Sequence, residues 1–244
     1  MEPKIRLVTD IPGLNSIEDA VPKPASKFLP EWWKTMPIKK TTPSLEGVAF
    51  GNAKVCPSFP AYLSRGFIVP MWVDSILYVE KDTEGNDCWR WRTADQKFSW
   101  QVHGSGQYMQ HASHKYLGRE GYFVFKSTLP WYVFTDPGYS LYQLPTLLHF
   151  NEDFSAVPGV RDTDVYHEMN IQLVIHSLKK EIFIPRGTPL AHFIPFKRET
   201  VDLEVQYATE EDKEKIAAHK LNVSTKFSPL VAYREDVKEV NKTL

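Results

Sequence analysis

The chain of 244 residues has 29 lysines and arginines against 30 aspartates and glutamates, and its net charge is −1. No basic stripe in the sequence is concentrated enough to indicate a nucleic-acid-binding surface, and no apolar run is long enough to predict a membrane span. Hydrophobic residues make up 42% of the chain, which is typical of a globular protein with a sizeable core. The two cysteines, Cys56 and Cys88, form no metal-binding pair, and we expect both to be reduced.

Prolines punctuate the first sixty residues, and one short helix is predicted there, in "SKFLPEWWKTMP". Ser26 would cap this helix and Pro37 would end it. Its apolar face carries Trp32 and Trp33, two side chains that bury a large area when they pack. We expect residues 1–60 to form an arm that docks these indoles on a β surface, in the same chain or in a neighbouring subunit.

Residues 61–208 are predicted to form the body of the protein. In "CWRWRTA", Trp89 and Trp91 alternate with Arg90 and Arg92, which is the pattern of a half-buried strand. Similar short segments lie before and after it, many of them separated by turn residues, and together they predict nine or ten strands. These segments are "GFIVPMWVDSILYVEKD", "KFSWQVH", "GYFVFKSTL", "WYVFTDP", "YSLYQLP", "MNIQLVIHS", "EIFIPRGTPLAHFIPF" and "TVDLEVQYA". The fold class is therefore mostly β, a single antiparallel sandwich or distorted barrel.

Residues 209–244 are predicted to form a C-terminal helix and a tail. In "ATEEDKEKIAAHKLN", Thr209 can cap the helix and Asp212 can reach back to the cap. The acidic first turn also suits the positive end of the helix dipole.

A polar turn before a predicted strand holds the candidate functional residues. In "PGVRDTDVYHEMNIQL", one parity carries the apolar side chains, which predicts a strand with one buried face: Val165, Met169, Ile171 and Leu173. The polar residues lie at the mouth of this strand. Asp162 is the catalytic candidate if the protein is an enzyme. The candidate ligand-binding residues are Tyr139, Arg161, Asp164, Tyr166, His167 and Arg186. The same residues also suit a purely structural turn, in which the aspartates bond to backbone donors or nearby cations.

Residues 137–196 resemble the strand skeleton of dUTPases and dCTP deaminases. The resemblance rests on Pro137–Leu141 ("PGYSL"), on the turn Gly159–Tyr166 and on Ile184–Ile194 ("IPRGTPLAHFI"). It implies a dUTPase-like β fold, with Asp162 at the position of the water-activating carboxylate and Mg²⁺ as cofactor. However, "QLPTLLH" stands where the phosphate-binding serine loop would be, and no glycine-rich segment follows Gly187.

The chain also resembles, over about 170 residues, an uncharacterised protein family of marine tailed phages, cyanophage-like in character. The matching features are Trp32 and Trp33, "VCPSFPAYLSRGFIVPMWVD", "PGYSL", "DTDVYHEMNIQL" and "PRGTPLAHFIPFKRE". This resemblance implies a phage protein made in the host cytoplasm and carries no established activity.

The histidines do not predict a metal site. His103, His111 and His114 lie close together in "HGSGQYMQHASH". An iron or cupin site needs a His-x-Asp or His-x-Glu pair followed by a histidine on a strand, and the sequence has no such arrangement. We therefore expect neither a metal nor another cofactor, with Mg²⁺ needed only by a nucleotide hydrolase. A metal-dependent oxygenase remains the weaker alternative.

These patterns favour a non-enzymatic binding or assembly protein over an enzyme. It would form a homo-oligomer or bind other phage proteins, in the host cytoplasm or as a virion structural component, with Trp32 and Trp33 as interaction residues. The rival is a nucleotide hydrolase or deaminase of the dUTPase type that acts through Asp162. Convergence of Asp162, His167 and Arg186 on one pocket would favour the enzyme, and their dispersal would favour assembly.

Overall fold

The structure is a computed structural model that describes residues 4–37, 42–43, 49–50, 53–95, 100–103, 123–177 and 179–225. Its chain divides into two compact units. The first unit contains residues 1–28 and 66–198, and the second contains residues 29–65 and 199–244. The range predicted as an N-terminal arm, residues 1–60, therefore contributes to both units. The predicted mostly-β class is confirmed, because strands dominate and all paired strands are antiparallel.

Strands and helices alternate with irregular connections along the described ranges. The strands are β1 (Ile5–Val8), β2 (Lys23–Pro24), β3 (Thr42–Pro43), β4 (Ala49–Phe50), β5 (Phe67–Pro70), β6 (Ser75–Lys81), β7 (Asp87–Thr93), β8 (Trp100–His103), β9 (Phe123–Thr135), β10 (Tyr139–Pro145), β11 (Phe154–Ala156), β12 (Gly159–Arg161), β13 (Glu168–Ile175), β14 (Glu181–Ile184) and β15 (Pro189–Lys197). The α-helices are α1 (Glu31–Thr35), α2 (Ser58–Ser64) and α3 (Glu210–Thr225), and short 3-10 turns occur at Leu14–Ser16, Ala25–Phe28, Ala53–Val55 and Leu147–His149.

Three sheets build the first unit. The first sheet has the order β1-β9-β13-β11, with β8 also paired to β9. The second has the order β12-β10-β15-β5-β2, and the third has the order β14-β6-β7. β3 and β4 form a separate two-stranded sheet in the second unit.

The three sheets of the first unit share one hydrophobic core. Phe125 of β9 is completely buried and meets Trp89 of β7 and Trp100 of β8 edge-on, each at 5.9 Å between ring centroids. Phe67 of β5 stacks on Phe193 of β15 at 5.4 Å. Aromatic contacts of this kind add to the gain from area burial, so these rings stabilise the core of the first unit.

β9 joins two segments that the sequence predicts as separate strands. The segments "GYFVFKSTL" and "WYVFTDP" form one strand that passes through Pro130. The register between β9 and β13 shifts between Glu168 and Asn170, opposite the part of β9 that contains Pro130. Proline has no N–H to donate to a sheet, and the irregularity removes the need for one.

The N-terminal helix is shorter than predicted. α1 begins at Glu31, after Pro30, and the preceding residues Ala25–Phe28 form a 3-10 turn. Trp33 is buried and stacks on Phe59 of α2, with 6.3 Å between the ring centroids. The Trp32 ring contacts the Trp33 ring edge-on, with 5.6 Å between the centroids. The stacking partner of Trp33 therefore lies on a helix of the second unit, where the sequence predicted a β surface.

The C-terminal helix forms as predicted. The backbone N–H of Thr209 donates to Asp212 Oδ2 at 2.9 Å, and the Asp212 N–H donates back to Thr209 Oγ1 at 3.2 Å. The strand predicted in "TVDLEVQYA" is wrong, because residues 201–209 form no strand. None of the helices in the described ranges is long and apolar enough to span a bilayer.

Candidate functional site

An ion pair between Asp164 and Arg198 organises the polar turn after β12. The Arg198 guanidinium donates from Nη1 to Asp164 Oδ1 at 2.7 Å and from Nη2 to Asp164 Oδ2. The N–H of Gly138 also donates to Asp164 Oδ2 at 2.9 Å, and the Arg198 N–H donates to the Gly138 carbonyl at 2.8 Å. A bidentate pair with this backbone support fixes the turn to the end of β15.

A serine connects Asp162 to the same arginine by hydrogen bonds. Ser140 Oγ, on β10, donates to Asp162 Oδ1 at 2.6 Å, and Arg198 Nη1 donates to Ser140 Oγ at 2.9 Å. Arg198 Nη1 also lies 3.4 Å from Asp162 Oδ1. We refer to Gly138, Ser140, Asp162, Asp164 and Arg198 together as the Arg198 cluster.

The electrostatics of the Arg198 cluster favour its charged form. Hydrogen bonds from Arg198 hold the pKa of Asp164 well below its usual range, and the Gly138 N–H lowers it further. The bonds to Asp164 raise the pKa of Arg198. The Asp164 side chain is only 9% exposed, whereas that of Asp162 is 58% exposed. Asp164 is therefore the anchor of the cluster, and Asp162 is its solvent-facing member.

Acid should destabilise the fold through Asp164. A carboxylate with a depressed folded-state pKa contributes stability above its unfolded pKa of about 3.9, and this contribution is lost as the pH falls from there through the folded pKa. We expect Asp164→Asn to lower stability at neutral pH and to flatten the acid dependence. Urea unfolding of both proteins between about pH 6 and about pH 2.5 measures this difference.

A matched control for this prediction is Asp19→Asn. The Asp19 carboxylate lies 3.9 Å from Arg186, and its side chain is 65% exposed, so that pair should contribute little. The control should keep the acid dependence of the wild type. An Asp164→Asn variant with the same pH slope as the wild type would contradict the anchoring role of Asp164.

Beneath the turn, buried polar groups connect the first sheet to the turn backbone. Thr163 is completely buried, and its Oγ1 lies 2.9 Å from Oγ1 of Thr135. His167 Nδ1 lies 3.0 Å from the Thr163 carbonyl and 3.1 Å from the Val133 carbonyl. Because both partners are acceptors, Nδ1 carries a proton. The His167 ring also stacks on Phe134 at 4.0 Å, so this histidine supports the turn from below.

Arg161 and Tyr166 bond to separate partners. Arg161 Nε donates to Oε1 of the buried Gln143 at 3.0 Å, and burial lowers the pKa of Arg161. The Tyr166 hydroxyl donates to Glu168 Oε2 at 2.7 Å, which raises the pKa of Tyr166. Tyr139 contacts the Arg198 cluster through its backbone carbonyl, which accepts from Arg198 Nη1 at 3.4 Å.

Arg186 does not join the Arg198 cluster. Its N–H donates to Asp74 Oδ1 at 2.7 Å in the turn between β14 and β15. Arg198 follows the other end of β15, and a strand of this length spans roughly 26 Å at about 3.3 Å per residue. Asp162 and Arg186 therefore lie far apart.

Two cavities in the described residues have linings that exclude the predicted site residues. A cavity of about 300 Å³ is lined by Pro145, Thr146, Leu147, Phe150, Asn151, Phe154 and Ser155. A second, of about 250 Å³, is lined by Asp10, Ile11, Trp72, Thr128, Leu129, Pro130 and Tyr132. Neither lining contains a predicted site residue.

No group of three histidine, cysteine, aspartate or glutamate side chains could hold a metal ion among the residues that the structure describes. His111 and His114 lie outside those residues. Cys56 and Cys88 are free cysteines.

Sequence reasoning missed the two residues that connect the cluster. Arg198 lies in "PFKRE" and Ser140 lies in "PGYSL", both within motifs that were recognised. Only the antiparallel pairing of β10 with β15 brings them together, since Tyr139 opposes Lys197 in that register. A search for a cation at the end of the strand that pairs with β10 would have found Arg198.

Comparison with known proteins supplies no family. No protein-family model matches the chain, and no curated protein matches its sequence.

Proposed function

We propose that the chain is a phage-encoded, non-enzymatic binding or assembly protein, in which the turn at residues 162–167 is a structural device. The phage origin rests on the sequence resemblance. The non-enzymatic character is supported by the contacts of the turn, and its partners would be further copies of the chain or other phage proteins, in the host cytoplasm or in the virion.

One observation carries the proposal: both carboxylates of the turn bond to groups of the protein itself. Arg198 binds Asp164 with two hydrogen bonds, and Ser140 donates to Asp162 at 2.6 Å. A general base needs a hydrogen-bond path to water or substrate, whereas the described partners of Asp162 are Ser140 and Arg198 of the protein itself. These contacts support a structural role for both aspartates, which connect the turn to β10 and to the end of β15.

The surface beside the turn supports a binding role. Val160 of β12 is 56% exposed and lies opposite Tyr142 of β10, which is 43% exposed. Val165 and Tyr166 in the turn are also exposed. Adjacent exposed apolar side chains of this kind are typical of surfaces that contact another molecule.

Pyrophosphate release from a panel of nucleoside triphosphates, including dUTP and dCTP with magnesium, tests this proposal. We expect no turnover by the wild type. We also expect Asp162→Asn to keep the fold at a cost of about 1 kcal/mol or less, the scale of one hydrogen bond at an exposed site.

The opposite result would favour the nucleotide hydrolase. Turnover near 1 per second lies in the ordinary enzyme range. If Asp162→Asn abolished such turnover while its circular dichroism spectrum and unfolding midpoint stayed close to wild type, the proposal would be wrong. Glu152→Gln, at an exposed position in the turn before β11, is the control that should change neither quantity.

A further inference from the structure

The segment at residues 201–207 has the sequence pattern of a strand but forms none. Apolar and polar residues alternate perfectly in "VDLEVQY". The apolar side chains are nearly fully exposed: Val201 86%, Leu203 81%, Val205 89% and Tyr207 88%. Lys213 Nζ, on the exposed face of α3, lies 5.7 Å from the centre of the Tyr207 ring.

This exposure indicates a missing partner. Strict alternation is useful only when one face of a strand is buried. Four large apolar side chains on one parity would otherwise form a contiguous apolar surface in water, which single soluble chains rarely keep. These exposed side chains require a covering surface, which we seek on a second copy of the chain.

The edge strand β7 of the third sheet fits this segment in length. In the order β14-β6-β7, β7 ends the sheet, and no strand in the described residues pairs with its outer edge. β7 has seven residues, as many as the segment 201–207. The other strands with an open edge in the first unit are four residues long or shorter: β1, β2, β8, β11, β12 and β14.

β7 also fits in charge and polarity. On β7, Arg90 and Arg92 are exposed and alternate with Trp89 and Trp91. In the segment, Asp202 and Glu204 alternate with Val201, Leu203 and Val205. Pairing the two strands would place acidic residues beside arginines on one face and apolar residues beside tryptophans on the other, which are favourable cross-strand combinations.

We infer that residues 201–207 add as an antiparallel strand to β7 of a second copy of this chain. The antiparallel direction follows the described sheets, in which every strand pair is antiparallel. With the charges matched, Asp202 lies opposite Arg92 and Glu204 opposite Arg90. The same register sets Leu203 opposite Trp91 and Gln206 opposite Cys88.

The inference deepens the assembly role proposed above without depending on the absence of catalysis. Strand addition would join copies of an enzyme equally well, so the nucleotide assay and the experiments below fail independently. Failure of the strand pairing would leave the role of Asp162 untouched.

A charge exchange tests the pairing in solution. Asp202→Lys with Glu204→Lys, or Arg90→Glu with Arg92→Glu, places like charges opposite each other. Each double variant should raise the dissociation constant of the oligomer, measured by sedimentation equilibrium, by about tenfold or more. The combination of all four substitutions should lower the dissociation constant again relative to either double variant, since the charges across the interface match once more. Failure of the combination to restore association would contradict the pairing.

A disulfide tests the register. Cys88 is a free cysteine on β7, and residues directly opposite on antiparallel strands lie within disulfide reach. With Cys56 replaced by serine, Gln206→Cys should form a disulfide-linked dimer on a non-reducing gel after mild oxidation. Removing the native thiol as well, by Cys88→Ser, should abolish it.

Position 200 supplies the matched control, since it lies outside the segment and would face Cys88 only in a parallel arrangement. Thr200→Cys in the Cys56→Ser background should therefore give little cross-linked dimer. Equal cross-linking from positions 200 and 206, or a disulfide formed only within one chain, would overturn the inference.

Discussion

Gly66→Ala should destabilise the first unit by roughly 3 kcal/mol or more. Gly66 has φ +67°, in the left-handed region that costs other residues about 1–2 kcal/mol. A Cβ at this position would also lie 1.9 Å from the Phe193 carbonyl oxygen and 3.1 Å from Ile194 Cα, both backbone atoms. β5 begins at the next residue and pairs with β15, so the clash can be relieved only by shifting two strands of the core. Urea unfolding followed by circular dichroism measures the loss.

Gly13→Ala is the control for this substitution. Gly13 also has a positive φ, +78°, but a Cβ there meets no atom within 4 Å. Its replacement should therefore cost only the conformational term, about 1 kcal/mol. Equal destabilisation by the two substitutions would show that the close approach of β15 to Gly66 is not the cause.

Trp33→Ala should destabilise the second unit by about 3–5 kcal/mol, the usual cost of removing a large buried aromatic side chain. Trp33 is 7% exposed, stacks on Phe59 and lies 6.0 Å from Lys54 Nζ. Lys54 Nζ donates to the Met36 carbonyl, just after α1, at 2.6 Å. The cavity left by removal of the Trp33 ring would therefore lie beside a contact that stabilises the end of α1. Limited proteolysis and thermal unfolding of the full chain measure the effect.

The neighbouring residue provides the comparison. Trp32 is only partly buried, and Trp32→Ala should cost about 1–2 kcal/mol because part of its ring is already in water. If Trp32→Ala were the more damaging change, the assignment of Trp33 as the packed residue of the pair would be wrong.

Features with local causes could be predicted from the sequence. The reciprocal cap of α3 uses Thr209 and Asp212, which are three residues apart and recognisable without a structure. Parity predicts the buried face within β13, where Met169, Ile171 and Leu173 are completely buried. Val165, on the same parity, precedes β13 and is 77% exposed, so for this residue the prediction is wrong. The mostly-β class follows from many such segments.

Features that depend on long-range pairing could not be predicted. Asp164 and Arg198 are 34 residues apart, and their ion pair exists because β10 and β15 are neighbours in one sheet. The sequence predicts that Arg186, just before Gly187, meets the turn, but the length of β15 separates Arg186 from Arg198. Sequence spacing carries no information about which end of a strand faces a given turn.

Residues 201–207 show a third limit. Their alternation predicts a strand, and the structure of a single chain forms none. Period-two patterning reports that one face is to be buried, but it does not name the molecule that buries it. The difference between pattern and structure at this segment is the basis for the proposed strand addition.

The mass of the full chain in solution tests the assembly account most directly. The chain has a mass of 28.2 kDa. Sedimentation equilibrium at micromolar concentration should find a species of at least twice that mass, and Asp202→Lys with Glu204→Lys should shift it toward the monomer. A wild-type protein that stays at 28.2 kDa up to about 100 μM, a concentration at which even weak specific dimers populate, would contradict the account.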